Sequence, residues 1–130
     1  SYVMKGLRHS SQISDDGHYI RVVLEGILDE KSAAESALAT IKLIQATGID
    51  RVLIDARKAR NVASTIANVR YARPIETPAD KAYRDAKQVI IVDCTDRSHD
   101  IAIRSLQLKG HNIRICHDEE HAIKMLTEPD

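Results

Sequence analysis

The chain reads as an α/β protein with a mostly parallel sheet, and three observations predict this. Two unbroken apolar runs, Val52–Ile54 and Val89–Val92, are too short for helices and rich in β-branched residues, which marks strands buried on both faces. Between and around them lie segments whose apolar residues recur at helical spacing. Two further runs, His18–Gly26 and Asn112–Cys116, alternate apolar with polar residues, as strands near a sheet edge do.

Taken in order, Leu7–Ser14 is a weak strand, Asp15-Asp16-Gly17 a turn and His18–Gly26 a clear strand, which together make a hairpin. In the second strand Ile20, Val22 and Leu24 alternate with Arg21, Val23 and Glu25, giving one apolar and one mostly wet face. A long helix follows Ile27-Leu28. Ser32 with Glu35 makes a capping box at its start, and Asp29 is the competing cap. Ala34, Ala37, Leu38, Ile41 and Ile44 mark its inward stripe, and Gly48 suits a left-handed terminus.

Val52–Ile54 is the central strand, followed by a polar, basic turn. Ser64 then opens a helix with apolar residues at 66, 69 and 72, and Pro74 ends regular structure. Thr77 caps a short helix with Pro78 in its first turn, running through Ala86. Polar on most sides, the 77–86 segment is either a solvated connection or a cover over a ligand. Gln88–Cys94 is the second interior strand, and Ser98–Lys109 a helix with Ala102, Ile103 and Leu106 inward and Gly110 as its stop. Asn112–Cys116 belongs at or near the opposite edge. Asp118 caps the last helix, in which Ala122, Met125 and Leu126 pack before Pro129.

This order requires right-handed crossovers and leaves only the hairpin to supply an antiparallel pair. The expectation is one domain over residues 1–130, with an N-terminal hairpin, repeated βα units and a four- or five-stranded mixed sheet packed with helices. One face of that sheet is incompletely covered. It leaves room for a second copy of the chain, as in a homodimer, or for a ligand.

Composition excludes several functions. Lys plus Arg and Asp plus Glu are 19 each, so no overall field draws the protein to nucleic acid or to an anionic membrane. Phe and Trp are absent, which removes the stacking platforms that single-stranded nucleic acid needs. Cys94 and Cys116 are too few for a disulfide scaffold and read as buried thiols in a reducing cytoplasm. No apolar run reaches transmembrane length and no signal peptide is visible, so a cytoplasmic location is expected.

Three stretches carry a resemblance. Val22-Val23-Leu24-Glu25-Gly26 is similar to a strand ending in Gly, Val52-Leu53-Ile54-Asp55 to a central strand ending in Asp, and Asp118-Glu119-Glu120-His121-Ala122-Ile123 to an acid-rich helix start. With the order of elements from Ile13 onward, the chain resembles the STAS domain family, in its SpoIIAA-like branch, which shares an architecture with lipid-binding CRAL-TRIO domains. The resemblance implies a SpoIIAA-like fold and a non-enzymatic regulatory module that binds a protein partner. Antagonists of that family carry Asp-Ser-Ser-Gly at the start of the helix after the central strand, and a kinase partner phosphorylates the second Ser. The matching positions here are Ala63-Ser64-Thr65-Ile66, which keep the hydroxyls and lack the Asp and the Gly. The resemblance thus makes Ser64 and Thr65 candidate phosphoacceptors, while Ser64 as a plain helix cap is the simpler reading.

Asp93, Cys94, Asp96, His99, Cys116, His117, Asp118 and His121 gather after the last two strands. There is no Cys-x-x-Cys and no His-Glu-x-x-His, and Asp118 as a cap leaves His117 outside the helix. No metal, no cofactor and no catalytic residue is expected. The five glycines are scattered, so there is no phosphate-cradling loop. Arg57, Lys58 and Arg60, with Arg70 and Arg73 across the helix, form the one concentrated basic region. Together with Ser64, Thr65 and Asn68 they make the expected binding surface for an acidic protein partner. Reversing the charge of Arg57 and Arg60 is expected to leave folding almost unchanged. The alternative function is a carrier or sensor of a small apolar or amphipathic ligand, held in a cavity under the 77–86 segment.

Overall fold

A computed structural model describes residues 6–71 and 77–129, with the backbone alone for Arg70 and Tyr71. The sheet has five strands, β1 (Leu7–Ile13), β2 (Ile20–Leu28), β3 (Arg51–Asn61), β4 (Lys87–Ile91) and β5 (Ile113–Cys116), and their order in the sheet is their order in the chain. β1 and β2 pair antiparallel, with Leu7 opposite Gly26 and Ile13 opposite Ile20, and every other pair is parallel. The turn between β1 and β2 holds Gly17 at φ +77°, a conformation that favours glycine.

Because each parallel strand joins on the same side of the last one, right-handed crossovers place their helices on one face. Helices α1 (Glu30–Thr47), α2 (Thr65–Tyr71), α3 (Pro78–Asp85) and α4 (Asp100–Leu108) lie in these crossovers. The core under α1, α3 and α4 gathers Ile20, Val22, Val52, Ile90, Ile103 and Leu106. Among the described helices only α5 (Glu119–Thr127), which follows the last strand, covers the other face, closing Leu53, Val89 and Ile91 beneath Ala122 and Leu126. It is fastened at its C-terminal end, where the Arg51 guanidinium donates to the carbonyl of Leu126 and Lys87 Nζ donates to that of Glu128 at 2.9 Å.

The caps follow local chemistry. Thr77 caps α3 with Pro78 in its first turn, and Asp118 caps α5 by accepting from His121 N at 2.8 Å, both as the sequence predicts. For α1 the choice between Ser32 and Asp29 falls to Asp29, which accepts from Ser32 N at 2.8 Å while Ser32 Oγ accepts from Asp29 N at 3.0 Å.

Four expectations need correction. The inward face of α1 is Ser36, Thr40 and Ile44, while Ala34 and Leu38 are exposed. The stripe is rotated toward small polar residues because a cavity, described below, lies under the helix. β3 does not stop at Ile54 but runs to Asn61, so the basic residues sit on a strand and not in a turn. Cys94 is exposed in the turn after β4, and only Cys116 is buried. In α2 the apolar residues at 66 and 69 point outward; position 72 and Pro74 lie outside the described residues.

Candidate functional site

The long β3 is possible because it bulges. Val23 pairs with Asp55 and Glu25 with Lys58, so Ala56 and Arg57 together oppose Leu24. The slip changes the alternation, and Ala56 and Ala59, three apart, are both buried on the helix-covered side. Beyond the bulge the strand reaches Asn61, which organises the turn into α2. Asn61 N donates to Ser98 Oγ at 3.0 Å, its Nδ2 to Asn68 Oδ1 at 2.9 Å, and its Oδ1 accepts from Ala63 N at 2.9 Å.

The predicted surface residues are only partly brought together. Arg57 grips Asp55 with two hydrogen bonds, Nε to Oδ1 at 3.0 Å and Nη2 to Oδ2 at 2.8 Å, and lies 3.4 Å from Glu119. Arg21 bridges the same two carboxylates from β2. This hydrogen bonding to Arg57 holds the Asp55 carboxyl below its ordinary range despite its partial burial, and the same bond raises the Arg57 guanidinium. Arg57 is therefore part of a network that joins β2, β3 and α5, and reversing its charge would place a third carboxylate beside Asp55 and Glu119. Lys58 and Arg60, with side chains 81% and 70% exposed, stand only loosely opposite Glu25 (3.9 Å) and Asp96 (3.8 Å).

Ser64 is the cap of α2, its Oγ accepting from Ala67 N at 3.1 Å, and both Ser64 and Thr65 are exposed. Asn68 is not a surface residue: it is buried, accepting from Asn61 and donating to Ala63 O. The backbone of Arg70 belongs to α2, its side chain is not described, and Arg73 lies outside the described residues.

Sequence reasoning missed the apolar side of this site. Ile66 is 71% exposed and Val69 51%, and Val62, in the turn before α2, is 53% exposed. Their spacing is helical, but the burial is inverted, with Ala67 and Asn68 inward. Nothing in periodicity alone distinguishes an inward from an outward stripe on so short a helix.

Beneath α2 lies a cavity of about 90 Å³, bounded by the sheet and by α1, α2, α3 and α4. Tyr83 of α3 is in its wall. Among the described residues the buried polar side chains are Ser36, Thr40, Asn68, Gln88 and His99, and all five line this one cavity. His99 is a core histidine, its Nε2 2.9 Å from Ala59 O and 3.5 Å from Asp96 Oδ2.

Of the metal-ligating residue types after the last two strands, Cys116, Asp118 and His121 bring one ligand atom each within 4.8 Å of one another. Asp118 Oδ1 is already engaged as the α5 cap, and a helix N-terminus disfavours a cation. His117 turns its Nδ1 to Val92 O at 3.1 Å, and Asp93 is occupied by Thr95. No helix among the described residues is long and apolar enough to cross a membrane.

No family model matches the chain, and no curated protein matches it. Among solved structures, an antisigma-factor antagonist STAS domain from Rhodobacter sphaeroides aligns at TM-score 0.36 and 18% identity, over 94% of this chain and 92% of that one. An uncharacterised protein of the DUF3478 family with a SpoIIAA-like fold, from Shewanella loihica PV-4, aligns at TM-score 0.57 and 13% identity. That alignment covers 97% of this chain and 98% of the other, taking in the hairpin, the sheet and its helices, and the chain accordingly has a SpoIIAA-like fold.

Proposed function

We propose that this protein is a non-enzymatic regulatory module of the cytoplasm that binds a protein partner through the outward face of α2 and the turn before it. The observation that supports this is the inverted burial of α2. Val62, Ile66 and Val69 are solvent-facing while the small Ala67 and the polar Asn68 are inside. Exposed apolar residues grouped on one short element and rimmed by charge are the composition of an interface core. The sequence-level resemblance to STAS domains points to the same helix. In this reading the basic residues are the rim: Lys58 and Arg60 steer association, and the apolar residues hold the complex. Ser64 and Thr65, exposed at the start of the helix, are where phosphorylation would switch the contact.

The carrier alternative needs room for an apolar tail. Pockets for drug-sized ligands begin at roughly 300 Å³, and the cavity of about 90 Å³ is too small for a lipid cargo.

The test is affinity capture from a lysate of the source cells with wild type and with Ile66→Asp/Val69→Asp. The double variant should lose the partner while its unfolding free energy changes by no more than about 0.5 kcal/mol, as for exposed sites. Arg60→Glu should slow association, and less so at high salt. Equal recovery of the same partners by wild type and double variant would move the surface elsewhere.

A further inference from the structure

We infer that the cavity under α2 is a site for a small neutral molecule with an apolar body and one hydrogen-bonding group. This stands apart from the partner surface, because it rests on the inward faces of the helices. The first observation is where the polar residues are. A core of this kind buries aliphatic side chains and scatters its few polar ones, yet here all five buried polar residues of the described chain face one void. They arrive from four places: α1, α2, the start of β4 and the residue before α4.

The second observation is that two of them are unpartnered. Ser36 is 7% exposed, and its hydroxyl makes no hydrogen bond among the described residues. Gln88 is 2% exposed; its Nε2 donates to Tyr83 O at 2.9 Å, which leaves its side-chain oxygen without a donor. Both atoms line the void, so a hydroxyl and an acceptor are available to whatever occupies it.

The third observation is the rest of the wall. Val22, Leu24, Ile54, Ile90, Ile103 and Leu106 are apolar, a poor lining for a cluster of waters. Among the described residues no unpaired charge is buried there to bind an ion. At about 90 Å³ the space holds roughly three water volumes, or a molecule of about three to four heavy atoms. A short-chain alcohol fits this description: its hydroxyl donates to Gln88 and accepts from Ser36, and its alkyl part meets the aliphatic wall.

The test is methyl-resolved NMR with 2-propanol as the probe. Saturable shifts are expected at the methyls of Ile90, Ile103 and Leu106, and none with cyclohexanol, which is too large. Ser36→Ala keeps the volume and removes one hydrogen bond, and should weaken 2-propanol by about three- to tenfold while leaving xenon binding intact. Ser36→Leu fills the cavity and should abolish both; Ala102→Val is the milder filling variant if that protein does not fold. Linear shifts without saturation, unchanged 2-propanol affinity in Ser36→Ala, or waters that stay in the cavity at saturating probe would each overturn the inference.

Discussion

Replacing Ile91 by Ala tests the architecture where it is most specific, at the layer that α5 covers. Ile91 is fully buried in the cluster with Leu53, Val89, Cys116, Ala122 and Leu126. The change deletes three carbons, or about 2.4 kcal/mol at ~0.8 kcal/mol each. The strand is held on both sides and α5 is fastened at its end, so the void relaxes little. The added cavity cost brings the total to about 3–4 kcal/mol. Ile54, in the neighbouring strand, gives the contrast. It is only half-buried and already borders the cavity, so Ile54→Ala removes less transfer free energy and enlarges an existing void. About 1–2 kcal/mol is expected there. Urea unfolding of both variants, with the m-value unchanged, reads the difference directly. Equal losses in the two, or a loss below about 1.5 kcal/mol for Ile91→Ala, would show that the face under α5 is not the tight layer described.

Asp55 has its carboxyl held low by Arg57 in the folded state, so its contribution is complete above the ordinary carboxylate range, about pH 4, and is lost as pH falls through the depressed folded value. Asp55→Asn should therefore lower the thermal midpoint near neutrality, and its curve should approach that of wild type as acid is added; parallel curves would contradict this. Arg57→Glu should destabilise measurably and Lys58→Glu should not, since Lys58 faces its acid at 3.9 Å across solvent; comparable denaturation midpoints would remove the network from the account. Ser64→Ala should cost about 1 kcal/mol as a lost cap, and no change would mean that the hydroxyl is held for another purpose. Protein purified without added metal should contain no zinc by elemental analysis, and one equivalent that disappears in Cys116→Ser would assign the Cys116–Asp118–His121 group to a metal.

The sheet was legible because its signals are strong and local. Val52–Ile54 and Val89–Val92 are continuous runs, and Ile20, Val22 and Leu24 alternate, so strand positions and the buried face of β2 follow from side-chain period alone. Thr77 and Asp118 were legible for the same reason, since a cap is a contact between near neighbours. The faces of α1 and α2 were not. A helical stripe tells which residues lie together, and it is tertiary packing that decides which stripe goes inward. Leu38 loses to Ser36 and Thr40, and Ile66 to Ala67, where the sheet leaves room that a small residue does not fill. The bulge at Ala56–Arg57 was hidden too, because it depends on the register against Leu24, a residue of another strand. That one extra residue turned an expected basic turn into strand and tied Arg57 to Asp55 and Glu119.

The identity of strand order and chain order bears on how the protein is made. Each parallel strand joins the edge left by its predecessor, so the sheet can be assembled in the direction of synthesis, one crossover at a time. The newest strand is always the open edge. When residues 87–91 have emerged, that edge is Lys87–Ile91, whose apolar side chains stay bare until β5 pairs with it and α5 folds over the face. A chain stalled between Ile91 and Glu119 thus presents an unpaired, β-branched strand to its surroundings, the kind of edge that recruits other chains. Release from the ribosome before α5 is complete, more than any substitution on the outer surface, is the event that should send this protein into aggregates.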